Sequence, residues 1–209
     1  MSMRKRDCGV KIKLEPSGAQ FLGIEFDFYG EKIAFSASST IGGQFGDFIS
    51  AMYALYFEYD DGHNEWNQRE STANETDHRI TAITTTVCWD SEGEEMIIEM
   101  TKYHEADHEK NIFIKITTDY GKTFKEFLVN DKDLCYAAAK ACTDVLKEYG
   151  IYGYRYSTEH DTFNLHQLLF VKAYALDCME VRALLDADED GDSKKTDFAK
   201  ELELLLFDM

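Results

Sequence analysis

Residues 79–103 read RITAITTTVCWDSEGEEMIIEMTKY. The first part, 79–89, is a run of Ile, Thr and Val, side chains that suit a pleated strand. Ser91-Glu92-Gly93 is turn chemistry, and 95–103 resumes a strand pattern. Two more strand-like runs follow at 111–118 and 123–129, separated by Asp119-Tyr120-Gly121. Four strands in succession predict an antiparallel meander, the arrangement that needs the shortest connections.

Working upstream, FLGIEFDFY at 21–29 alternates, with Ile24, Phe26 and Phe28 on one face. Gly30-Glu31 is read as a tight turn into a second strand, 32–38. GGQFGD from Gly42 breaks the strand, and Phe45, Phe48, Ile49, Met52, Leu55, Tyr56 and Tyr59 then fall on one helical stripe. Residues 60–78 read as a long polar loop. Downstream, Asn130 caps a helix whose buried stripe is Leu134, Ala138, Ala141, Val145 and Tyr149, with Gly150 placed as a left-handed C-cap. Further helices are expected at 163–177 and 197–207.

The predicted fold is α+β: a mainly antiparallel sheet of about six strands packed by helices, in the order ββαββββαα plus a C-terminal helix. The predicted organisation is an N-terminal segment 1–19, a single α+β domain 20–177, and an acidic helical appendage 178–209.

The net charge of −18, from 40 acids against 22 bases, bounds the function. Phosphate backbones need clustered Lys and Arg, so nucleic acid is excluded as a partner, and an anionic membrane surface with it. A basic protein or a metal cation fits instead. The charge is concentrated: residues 58–78 carry seven acids and one base, and 90–99 carry five acids and no base. The candidate partner-binding residues are Asp60, Asp61, Glu65, Glu92, Glu94 and Glu95 for steering, with Trp66 as a large anchor among them. Five cysteines, an odd number without a CxxC pair, and no leader-like or membrane-spanning apolar run predict reduced thiols and a cytoplasmic location.

Two metal patterns stand out. His104-Glu105-Ala106-Asp107-His108 spells HExxH, but its position between two strands makes it a hairpin loop, which does not hold two His one helical turn apart. Asp186, Asp188, Asp190, Asp192 and Asp197 follow the spacing of an EF-hand or dockerin-type loop, with Gly191 sixth and Asp197 twelfth, and a helix after it. This segment carries the alternative reading of a calcium-binding protein, although Ser193 stands where an apolar residue would pair with a second loop. No other cofactor is expected. No GxSxG elbow, P-loop or GxGxxG occurs, so no enzyme active site assembles from motifs, and an uncharacterised hydrolase is the remaining alternative.

Four stretches, IAFSASSTIGGQFGDFISAMYAL, CWDSEGEEMIIEM, VLKEYGIYGY and FNLHQLLFVKAYAL, occur in an order that resembles a loose group of acidic bacterial α+β proteins, the immunity proteins of polymorphic or contact-dependent toxin systems. The resemblance spans 20–177, with Gly93 in place of a usual proline. It implies a cytoplasmic inhibitor whose partner is a basic toxin domain such as a nuclease.

Overall fold

The computed structural model describes residues 8–16, 21–38, 44–56, 67–73, 80–91, 94–103, 110–118, 123–158, 164–178 and 197–209. The fold is α+β and its sheets are antiparallel, as the sequence predicts. Among the described residues the strands number eight rather than about six, in two sheets. One sheet has the order β1-β2-β3, formed by Val10–Pro16, Phe21–Phe28 and Glu31–Ser38. The other has the order β4-β5-β6-β7-β8, formed by Asn67–Ala73, Ile80–Ser91, Glu94–Tyr103, Asn111–Thr118 and Thr123–Asn130. Helix α1 (Gln44–Ala54) joins the two sheets in sequence, and α2 (Asp131–Thr158), α3 (Leu165–Ala175) and α4 (Phe198–Leu206) follow them.

Both additional strands lie where sequence reading leaves a segment or a loop. In β1 the apolar residues Val10, Ile12 and Leu14 do alternate, but Lys11, Lys13 and Glu15 between them dilute the signal. Pairing with β2 from Val10↔Phe28 to Pro16↔Leu22 fixes the strand. Pro16 ends it, on an edge where its missing N–H costs no ladder bond. Strand β4, with sequence NQRESTA, has no apolar alternation at all; its extended form follows from the ladder it makes with β5, from Asn67↔Val87 to Ala73↔Ile80.

The β2–β3 hairpin turns one residue earlier than expected, at Tyr29-Gly30, where both residues have positive φ (55 and 96). That pattern matches the twist of a two-residue hairpin. Asp27 Oδ1 accepts the Gly30 N–H at 2.7 Å. Asn130 caps α2 as predicted, its Oδ1 accepting the Asp133 N–H at 3.3 Å. Gly150 has positive φ (69), and the helical path breaks there before resuming. Leu134, Ala138, Ala141 and Val145 are buried as expected, whereas Tyr149 is 37% exposed, because it lies in the last turn before that break.

The core is an aromatic layer between the two sheets, closed by α1. Phe26 on β2 stacks on Phe28 (5.5 Å between centroids) and on Trp89 of β5 (5.9 Å), and Phe48 of α1 meets its edge at 5.6 Å. Phe28 stacks on Phe127 of β8 at 4.4 Å. From Ile83 onwards β5, like β6 to β8, follows a period of two. Met96, Ile98 and Met100 are buried, as are Ile112, Ile114 and Ile116, while the intervening residues are not. One face of this sheet is therefore packed and the other solvated.

Thr85 is an exception to the chemistry of that packed face: it is 2% exposed and its hydroxyl finds no hydrogen-bond partner among the described residues. Thr85→Val keeps the shape and removes the orphan, so it is expected to raise unfolding stability by about 1 kcal/mol in denaturant titration.

Helix α3 is enclosed by α1, α2 and α4. Lys172 on it is completely buried. Its ammonium spends its three N–H bonds on Thr143 Oγ1 (3.0 Å) and the Leu205 and Phe207 carbonyls (2.9 Å each). The end of α4 is thereby tied to α2 and α3, and Met209 is buried beyond it. Burial, and secondarily the Lys147 charge, lower the Lys172 pKa to about 8. In the folded chain it therefore holds fewer protons than in the unfolded chain between about pH 8 and the ordinary lysine value of 10.5. Stability contributed by this group rises with pH through that window. In urea titrations across it, the native protein is expected to gain stability relative to Lys172→Met as pH increases, and a constant difference would contradict this origin.

Candidate functional site

The acidic end of the β5–β6 hairpin is the part of the predicted partner surface that the structure describes. The ladder sets Asp90 directly opposite Glu95 and Ser91 opposite Glu94. Two like charges facing each other across an antiparallel pair destabilise it. Glu95 is held in place by the Cys88 thiol, which donates to its Oε1 at 3.0 Å. Asp90 Oδ1 is shielded from solvent and has no hydrogen-bond partner among the described residues. Burial first, then the bond to Glu95 and the charges of Glu95 and Asp90, push the Cys88 pKa up to about 12. The thiol stays protonated at neutral pH, so it serves as a donor to Glu95 and is not primed as a nucleophile. Further along the same face Glu99 forms an ion pair with Lys115.

Of the other sequence-predicted residues, Asp60, Asp61, Glu65, Trp66 and Glu92 lie outside the described residues, so the structure does not bring them to the hairpin or away from it. Glu94 is placed by its backbone register alone. Asp186, Asp188, Asp190 and Asp192 also lie outside the described residues. Asp197 is the N-cap of α4, its Oδ1 accepting from the N–H of Ala199 (3.0 Å) and Lys200 (3.4 Å). A helix does begin directly after it, as the loop pattern expects. The calcium reading still rests on spacing alone: no group of three or more candidate ligands occurs among the described residues. The HExxH residues, too, lie outside them, in the connection between the antiparallel neighbours β6 and β7.

Sequence reading missed a buried polar cluster where β6, α1, α2 and α3 meet. Asp131, the first residue of α2, is 2% exposed. Its Oδ2 accepts from Lys102 Nζ at 3.0 Å and from the Tyr174 hydroxyl at 2.5 Å, and its Oδ1 takes the Lys132 N–H at 2.7 Å. Lys102 also lies over the Tyr56 ring, 4.9 Å from its centroid. The Tyr56 hydroxyl and Cys135 thiol are 3.8 Å apart. Burial is the main reason that Tyr56 and Tyr174 are raised above the ordinary phenol range and Cys135 is raised to about 12. These groups keep their protons, and the arrangement fastens a corner of the fold rather than activating a nucleophile. One signal was present in the sequence: Lys102 continues the buried stripe of Met96, Ile98 and Met100, a position where a lysine needs a partner.

No disulfide joins any of the five cysteines. Among the described residues no helix is long and apolar enough to cross a membrane. Comparison with known proteins finds no family model, no curated protein and no solved structure that matches the chain.

Proposed function

We propose that the chain is an acidic protein-binding module that blocks a basic partner, in the manner of an immunity protein neutralising a toxin domain. The observation that supports this most directly is the Asp90–Glu95 pair, two carboxylates facing each other across the ladder. A free protein bears the repulsion of these facing carboxylates. A Lys or Arg from a partner, placed beside the pair, offsets that repulsion, so the charge arrangement is unfavourable alone and favourable in a complex. A nuclease cleft, being basic, presents such groups, and the net charge of −18 hastens the encounter.

The test is a tagged pull-down from the source organism's lysate at low salt, followed by affinity measurement with the purified partner. We expect a basic protein at one-to-one stoichiometry whose binding weakens with salt. Glu94→Lys with Glu95→Lys should cost on the order of 100-fold in affinity. Asp90→Asn should weaken binding while raising the stability of the free protein by about 0.5 kcal/mol, since it removes the facing charge. Absence of any stoichiometric partner, or a partner indifferent to these changes, would overturn the reading.

A further inference from the structure

Beyond the hairpin end, the ladder registers of β5 to β8 order the side chains of their outward face into rows. Thr84, Thr101, Phe113 and Leu128 form one row across β5 to β8. Thr86, Glu99, Lys115 and Glu126 form the next, and Cys88, Ile97 and Thr117 the one after that. Asp90 and Glu95 lie one step further on. None of these residues is buried, and Leu128 is 55% exposed. The face thus sets the apolar pair Phe113 and Leu128 at one end and the acidic pair Asp90 and Glu95 at the other, with the charged row of Glu99, Lys115 and Glu126 and the row of Cys88 and Ile97 between them.

We infer that this whole face is the docking surface for the basic partner, with Phe113 and Leu128 receiving an apolar anchor and the Asp90–Glu95 end receiving cationic side chains. The inference rests on the proposed binding function and adds its geometry. Charge complementarity selects the occupant: the face carries the carboxylates of Asp90, Glu95, Glu99 and Glu126 against the ammonium of Lys115, which is already paired with Glu99. A second copy of the chain would set these carboxylates against each other. Size agrees as well. Four strands of eight to twelve residues present a face of about 600 Å² at ordinary strand spacing, close to the roughly 800 Å² that each partner contributes to a stable complex. The apolar row and the acidic pair are separated by about 20 Å along the strands, so the partner must offer an apolar group and cations at that separation.

The experiment uses the full chain and two nine-residue probes, one of alternating lysine and leucine and one of lysine alone. Amide shifts of the protein are mapped with each probe, and dissociation constants are measured for Leu128→Ser and for Glu99→Gln with Glu126→Gln. We expect the lysine–leucine probe to shift Thr101, Phe113 and Leu128 together with Glu95. Leu128→Ser should weaken that probe about fivefold and leave the lysine probe unchanged. The glutamine double variant should weaken both. If shifts are confined to Glu94 and Glu95 and Leu128→Ser has no effect, the sheet-face inference fails and the hairpin reading survives. If neither probe binds in a salt-dependent way, or shifts fall on α4 instead, both fail. Leu128 is exposed enough for its truncation to leave the fold intact, and the shift map needs no variant.

Discussion

Asp131→Ala is expected to destabilise the protein by about 3–5 kcal/mol, because it removes the buried carboxylate that faces a buried cation. Lys102 Nζ would lose its carboxylate at 3.0 Å while staying almost wholly out of water, and the Tyr174 hydroxyl would lose its acceptor at 2.5 Å. The first turn of α2 would also lose the acceptor that holds the Lys132 N–H. Asp131→Asn, which retains acceptor oxygen but no charge, should fall between the two. Removing both charges by Lys102→Met with Asp131→Leu should recover much of the loss, since well-packed apolar groups replace a buried ion pair at little cost. Denaturant unfolding of the three variants reads this directly. A loss below about 1 kcal/mol for Asp131→Ala would mean that Lys102 escapes to solvent.

Trp89→Ala is the second large effect expected, again about 3–5 kcal/mol, from lost burial and the cavity left behind. Trp89 is 1% exposed and its ring meets Phe26, Phe45 and Phe48 at 5.9, 6.3 and 6.0 Å. The residue joins β2, β5 and α1, so its removal opens a gap that no single neighbour can close. A fall in melting temperature on the order of 10 °C follows for a chain of this size. Trp89→Phe should cost far less. The adjacent Asp90→Asn should act in the opposite direction, and this change of sign between consecutive residues tests the assignment of the two faces of β5.

Sequence patterning locates β2, β5, β6, β7 and β8, because each alternates or clusters β-branched and aromatic residues strongly enough to be read in isolation. It also places the α1 stripe and the Asn130 cap, whose signals are local. It misses β4, whose polar sequence NQRESTA is extended only because β5 offers a ladder, and β1, whose charged residues interrupt a short apolar series. For the same reason the two-sheet division is not legible: pairing between strands is non-local. The Asp90–Glu95 opposition depends on register, which the turn sequence alone does not fix. The Lys102–Asp131–Tyr174 cluster joins residues far apart in the chain, and only the lysine on an apolar stripe hints at it.

The alternation along β5 to β8 also bears on how such a protein can diverge. Each strand carries two interleaved texts, one read by the core and one by whatever meets the outside. Thr86, Ile97, Glu99 or Leu128 can be exchanged without disturbing Val87, Ile98 or Val129. A lineage could therefore change what it recognises by drifting at every second position, keeping one scaffold through many partners.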